Sequence, residues 1–162
     1  AVVSMLALET PLPEALDRAA AQLVKRPGHA ETLAAVEHAR KLAAAGEPRA
    51  EYVARLGEGW NAEEAVAIAI YCALAAPDFD TGVRLAVNHD GDSDSTGAIA
   101  GHLLGALHGI EAVPTRLTNG LELVEVLAVI ADDLATFPAW PIGQFQPSTD
   151  ASAWWLERYP PT

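Results

Sequence analysis

Glycine recurs every fourth residue at Gly97, Gly101, Gly105 and Gly109, within a run otherwise rich in alanine and leucine. Residues four apart lie on one face of an α-helix, so this spacing predicts a helix with a glycine-lined face. Each glycine in a helix interior costs about 1 kcal/mol relative to alanine. We therefore expect a neighbouring element to pack closely against that face, and we predict a buried central helix.

The predicted helix is preceded by a stretch dense in oxygen donors. Asp90, Asp92 and Asp94 alternate along the chain, and Ser95 and Thr96 follow them. Carboxylate and hydroxyl oxygens suit Mg²⁺, Mn²⁺ or Ca²⁺ and suit metals that prefer sulfur ligands poorly. Crowded carboxylates also repel one another unless a cation or protons neutralise them. The stretch is therefore a candidate metal site.

Two other interpretations use the same residues. Asp, Ser and Thr before an apolar run are ordinary helix N-caps, so capping with solvated charge stands beside metal binding as an explanation. An EF-hand-like calcium loop would place Asp90, Asp92 and Asp94 at its first, third and fifth positions. Its sixth position requires glycine and its twelfth a bidentate glutamate, where this sequence has Ser95 and Gly101. The EF-hand interpretation fails at those two positions.

The composition predicts an all-α fold. The chain has 162 residues, enough for one domain with a sizeable core, and alanine and leucine dominate over β-branched residues, which favours helices. We expect a helical domain over residues 1–138 and an irregular tail, rich in tryptophan and proline, over residues 139–162. Four aromatic residues are expected to pin this tail to the helical body. They are Trp140, Trp154, Trp155 and Tyr159.

Charge and cysteine content limit the partners and the compartment. The chain carries 22 acidic and 10 basic residues and a net charge of −12, which argues against nucleic acid and anionic membrane surfaces as partners. Cys72 is the single cysteine and lies in an apolar segment. The apolar surroundings predict a buried structural thiol. A single cysteine cannot form a disulfide within the chain, which agrees with a reducing compartment. With no signal-peptide pattern and no apolar run of membrane-spanning length, we expect a cytoplasmic location.

The acidic motif resembles one known family. Residues 91–101 (GDSDSTGAIAG) and 103–106 (LLGA) resemble the C-terminal metal motif of the ADP-ribosylglycohydrolase family, which includes the dinitrogenase reductase-activating glycohydrolases. Residues 56–60 and 62–65 resemble the family segment that precedes this motif, and residues 155–160 resemble its usual tail. The resemblance covers most of the chain and implies a compact multi-helix orthogonal bundle.

The resemblance also implies a set of site residues. In the family the motif supplies metal ligands through positions that correspond to Asp92, Asp94 and Ser95. The two aspartates would serve catalysis as well. Asp90 stands where the family often has glycine. It could join the metal ligands or only add negative charge, and the resemblance leaves both alternatives open.

The activity implied by the resemblance is hydrolysis of the N- or O-glycosidic bond that joins ADP-ribose to a protein side chain or a small molecule. Two Mg²⁺ or Mn²⁺ ions would assist the reaction. His89, Gly59 and Trp60 are the predicted substrate contacts, although packing explains His89 and the loop of residues 57–60 equally well.

The second metal cluster of the family, a paired aspartate with threonine in the N-terminal half of a longer chain, has no counterpart here. Asp132 and Asp133 are followed by Leu134, and neighbouring helix positions diverge by about 100°, so we interpret this pair as solvated. The chain is then a fragment, one half of a binuclear site completed by a second polypeptide, or a relic that binds one ion without catalysis.

We favour the first two explanations together, because half a binuclear site would leave repelling carboxylates without a use. The expected partners are an ADP-ribosylated substrate and either the missing N-terminal half or a complementing chain. The alternative class is a non-catalytic helical domain that binds a metal or a protein partner.

Overall fold

The computed structural model describes residues 1–136 and 157–159, and every regular element within those ranges is helical. The predicted all-α class is confirmed. The chain divides into two compact units, Ala1–Leu117 and Thr118–Thr162. No helix among the described residues has both the length and the hydrophobicity needed to cross a lipid bilayer.

The helices are short to medium in length and are joined by brief turns. In chain order they are α1 (Val2–Leu6), α2 (Leu12–Leu23), α3 (Ala30–Ala43), α4 (Ala50–Ala54), α5 (Ala62–Ala75), α6 (Phe79–Val87), α7 (Ser93–His108), α8 (Thr115–Thr118) and α9 (Val124–Thr136). A 3₁₀ turn, Ile110–Ala112, follows α7.

The helix α5 is the centre of the first unit. Residues 67–73 of α5 are all buried, and α3, α6 and α7 pack against it. Its two charged residues, Glu63 and Glu64, stand in the first turn, where the helix dipole favours negative charge. A helix that is apolar on nearly all sides lowers its free energy most when other helices surround it.

The helix α7 is buried on one face only, so the prediction of a buried central helix is wrong in part. Its buried residues are Thr96, Ala100, Leu103 and Leu104. Other positions on the helix, including Ala98 and His102, are exposed. The central position belongs to α5, because the apolar face of α7 is too narrow to require cover on all sides.

The close packing predicted for the glycine face is present at Gly97 alone. A Cβ added there would lie 2.5 Å from Cγ1 of Val87 on α6. At Gly101 and Gly105 no atom of the described residues lies within 4 Å of such a Cβ, so the prediction is wrong at those positions. The reason is the orientation of α7, which turns its larger apolar side chains toward the core. Gly109 ends the helix with a φ of 76°, a conformation that glycine adopts without strain.

Cys72 is completely buried in α5, as predicted. Burial raises the pKa of its thiol to about 12, so the thiol is neutral as well as inaccessible near pH 7. We expect thiol-specific alkylation of the native protein to be at least about 100-fold slower than that of the unfolded protein, because modification requires an opening of the core. Intact-protein mass spectrometry with and without denaturant measures both rates, and equal rates would contradict this packing.

In the second unit, Asp133 of α9 joins two residues close to the end of the chain. The Arg158 guanidinium donates two hydrogen bonds of 2.6 Å to the Asp133 carboxylate, and the Tyr159 hydroxyl donates a third. The Arg158 pairing holds the pKa of the Asp133 carboxyl below its ordinary value. Asp133 is only 6% exposed, so the solvated interpretation is wrong for this residue: a guanidinium takes the place of water.

The predicted irregular tail over residues 139–162 lies outside the described residues, apart from 157–159. The predicted anchoring by Trp140, Trp154 and Trp155 also lies outside them.

Candidate metal centre

The candidate metal ligands lie at the N-terminus of α7, immediately after the turn that leaves α6. Asp92 is the N-cap residue of α7, and its Oδ1 accepts a hydrogen bond from the Ser95 N–H at 3.4 Å. Oδ1 of Asp94 accepts from the same N–H at 3.0 Å. The capping interpretation is therefore correct for Asp92. Capping and metal binding are compatible, because an ionised carboxylate offers about four acceptor sites on two oxygens.

The carboxyl groups of Asp92 and Asp94 lie close together, because both accept a hydrogen bond from the Ser95 N–H. The pKa of Asp92 lies below its ordinary value, chiefly because of the hydrogen bond with the Asp94 carboxyl and next because of the Ser95 side chain. Two carboxylates this close are stable together only when a shared proton or a cation neutralises part of their charge. A bound cation and a shared proton would each relieve the repulsion within the pair.

The acidic loop comprises residues 88–92, between α6 and α7. Its backbone is held by a second loop, residues 57–60, which precedes α5. The Asp92 N–H donates to the Glu58 carbonyl at 2.8 Å. Gly91 passes so close to Glu58 that an added Cβ would lie 1.8 Å from the same carbonyl oxygen. The two loops touch along their backbones, so no residue with a side chain fits at position 91 without moving one of them.

Glu64, in the first turn of α5, anchors the second loop in turn. Its Oε2 accepts hydrogen bonds from the Glu58 N–H at 3.2 Å and from the Gly59 N–H at 3.0 Å. Gly59 is buried and has a φ of 82°, and a Cβ there would lie 2.7 Å from Cγ2 of Thr96. Packing thus accounts for Gly59, whose predicted substrate role stays a prediction.

Thr96 lies at the centre of the packing below the acidic loop. Its hydroxyl is one of the possible oxygen donors in the sequence, but its side chain is fully buried and turned inward. Its Oγ1 lies 2.7 Å from the Ala86 carbonyl oxygen and 3.0 Å from that of Asp92. The sequence does contain a sign of this burial: Thr96 lies four residues before Ala100, and residues four apart share one face of a helix.

His89 uses both ring nitrogens within the chain. Its Nε2 lies 2.9 Å from Thr96 Oγ1, and its Nδ1 accepts a hydrogen bond from the Gly91 N–H at 3.1 Å. The predicted contact between His89 and a substrate stays a prediction, and it would have to involve the face or the carbon edge of the ring.

Trp60 provides the exposed aromatic surface of the second loop. Its side chain is 66% exposed, and its indole N–H donates to the Glu58 carboxylate at 3.1 Å. Because the Glu58 carbonyl binds the Asp92 N–H, this exposed ring belongs to the same loop that fixes the candidate metal ligands.

The donor set fits a hard divalent cation, and the described residues would supply only part of its coordination shell. Within residues 1–136 and 157–159, no three His, Cys, Asp or Glu side chains are grouped to hold a metal ion. The candidate ligands are thus two carboxylates and one hydroxyl, those of Asp92, Asp94 and Ser95. Mg²⁺ prefers six oxygen ligands and keeps several waters, so three protein oxygens leave positions for water, substrate or another polypeptide.

Comparison with known proteins identifies a family for the chain. The sequence profile of the ADP-ribosylglycohydrolase family matches residues 1–141. Over 97 residues the chain is 32% identical to ADP-ribosylhydrolase ARH3 of Homo sapiens and 33% identical to the protein of the same name from Bos taurus. Each alignment covers 53% of this chain and 27% of the relative. The chain is also 38% identical over 82 residues to an uncharacterized protein of Archaeoglobus fulgidus, covering 51% of this chain and 26% of that protein.

The aligned part of the chain thus spans about a quarter of the length of these curated relatives. No solved structure gives a significant match. The family match nevertheless includes both loops of the candidate site and all of α5, α6 and α7. A match of this extent shows that the chain belongs to the ADP-ribosylglycohydrolase family.

Proposed function

We propose that this chain forms part of the active site of an ADP-ribosylhydrolase. The enzyme would cleave the N- or O-glycosidic bond between ADP-ribose and a modified protein side chain or small molecule. The observation that carries the proposal is the adjacent pair of carboxyls, Asp92 and Asp94, at the N-terminus of α7, where the Glu58 carbonyl holds the Asp92 backbone. Family membership and the similarity to the human and bovine ADP-ribosylhydrolases ARH3 support it.

Asp92, Asp94 and Ser95 are the residues that would hold a cation, Mg²⁺ or Mn²⁺. Such a cation, when bound, lowers the pKa of a water molecule and orients the ribose hydroxyls. The all-oxygen donor set and the mutual repulsion of the two carboxylates support this assignment. We propose that the ion is one of a binuclear pair, with the remaining ligands supplied by the missing N-terminal half or by a complementing chain.

In the proposed reaction, the oxygen of a water molecule forms a bond to the anomeric carbon of the ribose. The bond from that carbon to the side-chain nitrogen or oxygen breaks, and a proton from the water ends on the leaving group. Positive charge develops on the ribose in an oxocarbenium-like transition state. The carboxylates of Asp92 and Asp94 would stabilise that charge, and the lowered pKa of Asp92 favours its ionised form.

Trp60 is the residue of this site that is best placed to contact a planar part of the substrate. Its indole N–H is held by Glu58 while most of its side chain is exposed. Stacking of a base on an aromatic side chain contributes about 1–3 kcal/mol. We propose that Trp60 contacts the adenine of ADP-ribose, while Gly59 contributes through the shape of the loop.

A non-catalytic helical domain that binds a metal or a protein partner is the second candidate. The observation that favours it is the N-cap contact of Asp92, which gives this carboxylate a structural use without any reaction.

Hydrolysis assays separate the two candidates. Two preparations are compared, the chain alone and the chain combined with the complementing polypeptide proposed above, and we expect the second to release ADP-ribose from ADP-ribosylated arginine (N-linked) or ADP-ribosylated serine (O-linked). Release should require Mg²⁺ or Mn²⁺ and stop when EDTA is added. The Asp92→Asn variant serves as the inactive control. No release by either preparation would sink the enzyme proposal for these linkages, and binding of Ca²⁺ alone would favour the non-catalytic domain.

A further inference from the structure

We propose that His89 is a positioning residue, which locks the acidic loop in the orientation needed for cation binding while its neutral imidazole carries the proton on Nε2. The consequence for the cation rests on the function proposed above. The hydrogen-bond geometry of the ring stands independently of that function.

Two hydrogen bonds determine which ring nitrogen carries the proton. The Gly91 N–H can only donate, so His89 Nδ1, 3.1 Å away, must accept. A neutral imidazole that accepts at Nδ1 carries its proton on Nε2. Nε2 lies 2.9 Å from Thr96 Oγ1, and its N–H therefore donates to that hydroxyl.

The Thr96 hydroxyl connects the ring to the two helices that flank the loop. Its single proton points to the Ala86 carbonyl oxygen, which at 2.7 Å is the shortest of its carbonyl contacts. Ala86 belongs to α6 and Thr96 to α7, whereas His89 lies in the loop between them. Thr96 is fully buried; without the imidazole its hydroxyl would still donate to the Ala86 carbonyl but would lose the N–H donor that His89 supplies.

The ring thereby controls the backbone that presents Asp92. His89 holds the N–H of Gly91, and the Glu58 carbonyl holds the next N–H, that of Asp92, at 2.8 Å. Two consecutive peptide groups are fixed, and the direction of the Asp92 side chain follows from them. Groups that orient a metal ligand without touching the ion typically change metal affinity about 10- to 100-fold.

Two substitutions separate the two ring contacts. In His89→Asn, the side-chain carbonyl oxygen takes the place of Nδ1 and can still accept from the Gly91 N–H. In His89→Gln, the amide nitrogen takes the place of Nε2 and can donate to Thr96, but the acceptor for Gly91 is lost. His102→Gln, at an exposed position of α7, is the matched control.

Three measurements on the full chain test the proposal: the ring ¹⁵N chemical shifts of His89, the exchange rates of the Gly91 and Asp92 amides, and Mn²⁺ affinity by calorimetry. We expect shifts that show the proton on Nε2. His89→Gln should speed exchange of the Gly91 amide and weaken Mn²⁺ binding about 10- to 100-fold. His89→Asn should retain most of both properties, and His102→Gln should match the wild type.

A proton on Nδ1, or wild-type amide exchange in His89→Gln, would overturn the positioning role. A residue that only contacts substrate gives the second of these results, because its replacement leaves the loop in place. If the wild type binds no Mn²⁺ either alone or with the complementing polypeptide, the metal part of the proposed function fails. The ring shifts and amide exchange then still decide the role of His89.

Discussion

Replacing Asp92 with asparagine is expected to weaken Mn²⁺ binding by at least about 100-fold, because the charge and number of oxygen ligands set cation affinity over several orders of magnitude. The thermal unfolding temperature should stay close to that of the wild type. Asparagine caps a helix as well as aspartate does, and Asp92 is the N-cap of α7. Calorimetric titration and thermal denaturation of the same sample give both results.

Two further variants separate coordination by Asp92 from helix capping and from the effect of negative charge alone. Asp92→Ala removes the charge and the cap together, so it should also destabilise the protein by about 1 kcal/mol. Asp90→Asn removes the same charge from an exposed position in the same loop and should leave Mn²⁺ binding nearly unchanged. If Asp90→Asn and Asp92→Asn weakened binding equally, diffuse negative charge rather than coordination would explain the affinity. Unchanged binding in Asp92→Asn would leave that residue only its capping role.

The local features of the site could be predicted because they depend on residues close together in the chain. Alternating carboxylates before an apolar run place Asp92 and Asp94 at a helix N-terminus, and the structure has them there. The burial of Cys72 followed from the apolar residues around it in the same way. Periodicity and capping are properties of a single helix, so they can be predicted without knowing which elements pack against that helix.

The contacts that hold the site could not be predicted, because they join residues far apart in the chain. The Glu58 carbonyl and the Asp92 N–H form a hydrogen bond although the whole of α5 and α6 lies between them in the chain. The same limit applies to Asp133, which is neutralised by Arg158, 25 residues further along. A periodic pattern identifies a face but not its neighbour, which is why the glycine face was expected to be covered at Gly101.

Gly91→Ala is expected to destabilise the protein by about 2–4 kcal/mol and to remove Mn²⁺ binding. The new Cβ would lie 1.8 Å from the Glu58 carbonyl oxygen, a backbone atom that has no alternative rotamer. One of the two loops must move, and overpacking of this kind typically costs about 1–3 kcal/mol. The movement also stretches the hydrogen bond from the Asp92 N–H to that carbonyl, which adds about 1 kcal/mol. Chemical denaturation measures the change.

Gly101→Ala is the matched control for this substitution, because it adds the same methyl group where no described atom lies within 4 Å. It should stabilise the protein by up to about 1 kcal/mol, since alanine favours the helix interior over glycine. Both changes restrict the unfolded chain to a similar extent, so the difference between them isolates the approach of the two loops. Equal effects of the two substitutions on stability would mean that the contact between Gly91 and Glu58 is loose enough to absorb a side chain. A destabilising Gly101→Ala would instead show that this face of α7 is covered after all.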